Sequence, residues 1–491
     1  MERALHDAVS WPRASLALSS ALLVACAGAR EHATQHDLSA QRARFVAPAG
    51  QVPTASEFDS GRGLSGYLAH ALVHSPELRA SFEKWRASVH RISRARRLPE
   101  PTVGFGLFVR SVETRVGPQR ARISLQQSFP WPTTLTAGAD AASSRARALQ
   151  RRFDAQALTV ARSVTEAYWA LWEIRKTRAI HVEHLEVLRA LSGSVRGRVV
   201  TGATTLADQQ QVDLAAARLQ DMLQGMVEAE HAAEAQLRAA AGLPETAALP
   251  TPGQPPPARL PQEPKQALQG AAREHPLIAS FEHLAQAGED SARAQEAQGM
   301  PSFSVGADWI ITEEASAPGV QDSGQDAVIV GAAMSVPLWQ GSYADSAQAA
   351  RADSMAQRAE QRAATHRALA ELESSISAVR DSARRVALLR DTLVPQAEAA
   401  YASVLGAYAT GQGTVAQTLL AQRDLLELRI EYDSARARYG QGWARLEHVV
   451  GREVTAEAPA AADGPAAAEA PAAAEAPAAA GAPTQGGSDV D

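Results

Sequence analysis

The chain has 491 residues, enough for two or three ordinary domains, and 45% of them are hydrophobic while only 5% are aromatic. Alanine and leucine therefore carry most of the apolar content, which suits long close-packed helices better than a thick globular core. The formal net charge is −6 with both signs interspersed and no basic stripe interleaved with aromatics, which excludes the electrostatic footprint of a nucleic-acid binder; the single cysteine excludes an intrachain disulfide.

Residues 1–26 read as a signal peptide: Arg13, an apolar run from Ala14 to Ala25 too short to span a bilayer comfortably, then Cys26. Leu23-Val24-Ala25-Cys26 resembles a bacterial lipobox, in which the cysteine is acylated and becomes the new N-terminus; an ordinary signal peptide with an incidental cysteine is the alternative. Residues 27–63 form a polar leader without periodicity.

Beyond the leader the chain is one unit written twice. Ser75-Pro76-Glu77-Leu78 returns as His275-Pro276-Leu277-Ile278, Ser128-Phe129-Pro130 as Ser335-Val336-Pro337, Thr201-Gly202 as Thr410-Gly411, and Gly242 as Gly451. The copies span 64–244 and 265–452. Between them, residues 245–264 hold a run of prolines that forbids helix and favours a stiff, extended crossover. The tail, 453–491, is rich in alanine and proline and lacks the apolar content to fold.

Each copy predicts helix, strand, strand, very long helix, helix. The first helices cover Leu64 to Leu98 and Lys265 to about Gly299, both stopping just before a proline. Two period-two runs follow in each copy. Val103, Phe105, Leu107 and Val109 share one face of the first strand; Ile123, Leu125 and Phe129 of the second face away from Arg120, Arg122, Ser124, Gln126 and Ser128. Phe303, Val305, Ala307, Trp309 and Ile311 repeat the scheme, and Val328, Val330, Ala332, Met334 and Val336 line the fourth strand. Strands of about ten residues with one apolar face match tilted membrane-crossing strands, or a half-buried soluble sheet. Four strands cannot close a membrane barrel, so any barrel is shared between chains.

Trp131 and Trp339, beside the prolines that end the strands, suit a membrane-water boundary, and a purely structural role accounts for them equally well. The helices from about Thr133 to Val200 and Tyr343 to Thr410 would each be ~100 Å long if continuous. Val164, Leu171, Ile174, Leu185, Leu188, Val195 and Val199 mark one heptad seam on the first, and Pro395 should kink or interrupt the second.

These repeated openings, paired strands and long helices, with Leu393-Val394-Pro395-Gln396-Ala397 before Tyr401, Tyr408 and Gly411, resemble the TolC family of outer-membrane efflux factors over about Leu64 to Arg452. The resemblance implies a mainly α fold with a small β part: a periplasmic α-barrel of long coiled-coil helices, and four strands per chain in a trimeric outer-membrane β-barrel. It implies a passive conduit from periplasm to exterior, a homotrimer contacting outer-membrane lipid, whose partners are a periplasmic adaptor and an inner-membrane pump of RND or ABC type. A lipid anchor at Cys26 would add to the outer-membrane location.

The resemblance also singles out the helix-turn-helix tips, Thr201 to Asp208 and Thr410 to Gln417, as the sites of adaptor docking, with Gly202, Thr205, Gly411 and Thr414 as their key residues. Glycine suits positive φ at the turn and threonine caps the next helix, so capping alone also accounts for them. Asp208 falls where relatives carry an acid lining the pore constriction, and three copies would attract cations; Gln417 at the equivalent second position departs from that pattern. Neither catalytic residue nor cofactor is expected: no phosphate loop, nucleophile elbow or metalloprotease signature occurs. His181 and His184 lack the further ligand a metal needs. The competing readings are a lipid-anchored periplasmic adaptor and a coiled-coil scaffold of an export complex.

Overall fold

The computed structural model describes residues 29–45 and 63–456. Residues 1–26, which read as a signal peptide ending at Cys26, and the tail beyond residue 456 lie outside the described residues. Part of the leader, where no element is expected, forms α1 (Ala29–Phe45). Leu38 enters the core, Glu31 pairs with Arg96 at 2.7 Å, and Gln150 donates to Asp37 at 3.2 Å. So few anchors on a polar helix leave no periodic signature in sequence.

The Xaa-Pro pairs set the first breaks. Ser75 ends α2 (Leu64–His74) and caps α3 (Pro76–Arg96), its hydroxyl accepting from the Leu78 amide at 3.4 Å. His275 does the same between α6 (Lys265–Arg273) and α7 (Pro276–Gln298), its Nδ1 accepting from the Leu277 amide at 3.2 Å. Proline at the first helical position has no amide hydrogen to leave unpaired, so both helices restart there.

Four strands, β1 (Thr102–Thr114), β2 (Gly117–Phe129), β3 (Ser302–Thr312) and β4 (Ala327–Ser335), pair antiparallel in the order β1-β2-β3-β4. The helical remainder is α4 (Pro132–Val200), α5 (Leu206–Ala241), α8 (Gln340–Leu388), a π turn (Leu389–Leu393), α9 (Val394–Ala409) and α10 (Val415–Val450). The π turn is the interruption expected at Pro395: with no N–H at that residue the usual ladder cannot continue, and the preceding turn widens. Along α4 the expected seam faces inward, with Val164, Leu171, Leu185, Leu188 and Val195 buried and Ile174 and Val199 packed at its margins.

Helix order follows strand order. Next to the sheet α3, α4, α7 and α8 pack side by side, because each is joined to the strand above it; toward the other end the neighbours are α5, α4, α10 and then α8 with α9. The two copies also close alike. Gly242 ends α5 at φ 69° beside the His74 carbonyl, and Gly451 ends α10 at φ 80° beside His275 and Pro276. Each last helix thus stops against the Xaa-Pro break of its own copy.

The proline-rich linker is extended, as expected, and is strapped across the middle of the helices. Tyr168 Oη accepts from the Gly253 amide at 2.8 Å, Tyr439 Oη from Arg259 at 3.0 Å, and Arg175 donates to the Leu249 and Pro250 carbonyls at 3.2 and 3.0 Å. The core cluster that the linker joins holds most of the buried aromatics: Tyr67, Phe82, Trp85, Phe153, Tyr168, Trp169 and Trp172. Gly440 on α10 lets α4 approach, since a Cβ there would lie 2.5 Å from the Trp169 indole nitrogen. Gly440→Val should lower unfolding stability by about 1–3 kcal/mol through overpacking. Gly440→Ala should cost less, because alanine regains about 1 kcal/mol of helix propensity. Equal thermal midpoints for parent and both variants in detergent would refute the close approach.

Candidate functional site

Strand register joins the predicted apolar faces into one surface. Phe105 lies opposite Ile123, Ile123 opposite Trp309 and Trp309 opposite Val328; nearer the helices Val103, Leu125, Ala307 and Val330 form the same kind of row. Burial cannot explain these side chains: Val103 is 71% exposed, Phe105 69% and Val330 76%. The opposite face is polar and internally bonded. Arg122 reaches Asp308 at 2.8 Å, Gln126 donates to Ser304 at 3.1 Å, and Arg120 pairs with Glu313 at 2.7 Å. β1 and β4 each have an open edge in the single chain. A large exposed apolar face backed by a polar one, with both edges unpaired, is unstable as a free sheet in water and fits a barrel segment. Trp131 and Trp339 lie where the strands enter α4 and α8 and are 37% and 78% exposed. Among the described residues no helix is long and apolar enough to cross a membrane.

At the far end of the helices the two turns have one geometry. Gly202 and Gly411 adopt φ 71° and 80°, a left-handed conformation that side chains resist. Thr205 caps α5: its hydroxyl accepts from the Asp208 amide at 3.2 Å, and Asp208 Oδ2 accepts from the Thr205 amide at 3.1 Å. Thr414 and Gln417 form the matching box on α10, at 3.2 and 3.0 Å. The amide of Gln417 closes the box as a carboxylate does, so its departure from an acid keeps the cap and drops the charge. The Thr205 and Thr204 hydroxyls, both donating to Asp208 Oδ2, hold its carboxyl below the usual range, so it is ionised at neutral pH.

Sequence reasoning missed what joins the tips. Arg198 donates to the Tyr408 carbonyl at 2.8 Å and stacks its guanidinium over the Tyr408 ring at 4.7 Å, above a small core of Leu191, Val195, Val212 and Val415. Beside it Ser192 donates to Asp213 at 2.7 Å, and Gln209 bridges both. The Arg198 contact spans 210 residues and has no counterpart in the other copy, where Ala407 stands at the equivalent place, so no local pattern announces it. His181 is buried and His184 half-buried on α4; burial pushes both rings below their ordinary pKa.

Residues 267–452 match the family model described as Outer membrane efflux protein. That match falls within the second copy. It holds β3, β4 and the tip at Gly411, and the first copy repeats its elements in the same order. Over about four fifths of its length the chain has the fold of TolC-type channels. VceC from Vibrio cholerae superposes with a TM-score of 0.66 at 20% identity, over 82% of this chain and 100% of that one. The MtrE channel of Neisseria gonorrhoeae in its open state gives 0.65 at 16%, over 79% and 89%. The Campylobacter jejuni CmeC channel gives 0.66 at 12%, over 82% and 90%. No curated protein is a significant sequence match.

Proposed function

We propose that three copies of this chain make one outer-membrane efflux channel, each adding its four-stranded sheet to a common barrel and its long helices to a periplasmic tunnel. The supporting observation is the sheet itself, with apolar residues exposed on one face, bonded polar residues on the other, and two edges awaiting neighbours. In this reading the apolar face meets lipid and the polar face lines water. The tips around Gly202 and Gly411 dock a periplasmic adaptor that couples the tunnel to an inner-membrane pump, and Asp208 lines the constriction while Gln417 adds no charge there. Trp131 and Trp339 mark the periplasmic membrane boundary, and Cys26 carries a lipid anchor. A periplasmic adaptor or soluble scaffold has no use for the exposed apolar sheet.

Single-channel recording tests the reading. The detergent-extracted protein should insert into planar bilayers and give steady openings. Asp208→Ala should lower cation preference by a factor on the order of two to five at low salt, an effect lost near 1 M where the Debye length is about 3 Å. Protein that is folded and extracted yet never conducts would overturn the channel. Unchanged selectivity in Asp208→Ala would remove that residue from the constriction.

A further inference from the structure

A cleft of about 990 Å³ lies where α3 ends, β1 begins and α4 starts, with Arg94, Arg97, Leu98, Pro99, Gln127 and Leu135 among its lining. Gln127 fixes which side it opens on. It lies on β2 between Leu125 and Phe129, opposite Val305, on the apolar face, and its amide donates to the Pro99 carbonyl at 2.8 Å. The cleft is thus the lower border of the surface read as lipid-facing.

Its charge is one-sided. Three arginines line it, against Glu100 as the single acid. Arg96 is tied to Glu31 at 2.7 Å and Arg97 to Glu100 at 3.1 Å, whereas exposed Arg94 has no side-chain partner among the described residues. An uncompensated guanidinium beside prolines and leucines, immediately below exposed Val103 and Leu125, offers an anion site and an apolar track in continuity.

We propose that this cleft holds the headgroup of an anionic phospholipid of the periplasmic leaflet, its phosphate on Arg94 with support from Arg97, and its acyl chains along the sheet over Val103 and Leu125. The inference rests on the barrel reading above. Guanidinium supplies paired donors to phosphate oxygens, and the apolar lining excludes the water that would otherwise compete.

The test is lipid retention. Full-length protein is reconstituted in vesicles of phosphatidylcholine with a minority of phosphatidylglycerol, extracted gently, and its bound lipids are counted by native mass spectrometry, with conductance measured in parallel. Parent protein should retain phosphatidylglycerol about fivefold above its share of the membrane. R94Q should fall to that share while still conducting, and R94K should keep most of the enrichment. Equal retention of both lipids by a conducting parent, or undiminished enrichment in R94Q, overturns the lipid site and leaves the channel standing. Displacement of the phosphatidylglycerol by inorganic phosphate would show that the cleft takes a free anion, and also overturns it. A parent that does not insert removes the barrel and this inference with it.

Discussion

Trp85→Ala is expected to cost about 3–5 kcal/mol of stability, the largest single effect in the chain. Trp85 is fully buried on α3, its ring stacked on Phe153 at 5.8 Å and edge-on to Phe82 at 5.9 Å. Truncation removes an aromatic body from a close-packed core and leaves a cavity that Phe82, Phe153 and their neighbours would have to move to fill. The consequence reaches the site, because α3 is the edge helix that runs into the edge strand β1. Trp85→Phe separates packing from polarity. The indole N–H has no acceptor among the described residues, so phenylalanine keeps the ring, discards an unsatisfied donor, and should cost less than about 1.5 kcal/mol. Thermal or urea unfolding of the extracted protein decides it. An alanine variant within about 1 kcal/mol of the parent would mean that the cluster does not hold α3 in place.

The second large effect is pH-dependent. His448 on α10 and His275 before α7 have ring centroids 5.7 Å apart, beside a cleft that Arg367 and Glu371 also line. Thr159 Oγ1 donates to the Ala155 carbonyl, so the hydrogen between it and His448 belongs to the ring Nε2, leaving Nδ1 buried without a partner. Burial first, then the charge of Arg162 and the neighbouring His275, push His448 down to about 4. An unfolded chain takes up that proton near 6.5, so between these values the unfolded state holds it and stability falls as pH falls. The contribution is complete above about 6.5, and the loss levels off below about 4 at no more than about 3 kcal/mol. Comparing parent with His448→Gln, the fall in stability from pH 7 to pH 5 should be roughly 2 kcal/mol smaller in the variant. Parallel profiles would show that His448 is not the group responsible. His275, which burial also pushes down, leaves a residual slope in both.

Both residues illustrate what a sequence conceals. Trp85 is an unremarkable aromatic on a helix, and His448 a helix histidine near a glycine stop. Their importance comes from Phe153, Thr159 and His275, residues far along the chain that only folding brings near. The tips show the same division within a few residues. Gly202, Thr205, Gly411 and Thr414 were legible because turn and cap are local: a positive φ needs glycine, and a cap needs a hydroxyl three residues before its partner. The Arg198 bridge to Tyr408 was not, since it joins the two copies rather than repeating in each.

The sequence by itself determined the duplicated plan, the alternation of the four strands, the inward seam of α4 and the break before Pro395. The first follows from motifs that recur about two hundred residues apart, the others from periods of two to seven residues and from the backbone chemistry of proline. Tertiary structure alone decided that strands of both copies share one sheet in chain order, and that the apolar faces of the four strands therefore form one continuous exposed face. It also decided that the leader contributes α1 and that the linker crosses α4 and α10 on tyrosine hydroxyls. Pairing between β2 and β3 spans nearly two hundred residues, a distance over which no local pattern sets register; the packing of α4 against α7 below them does.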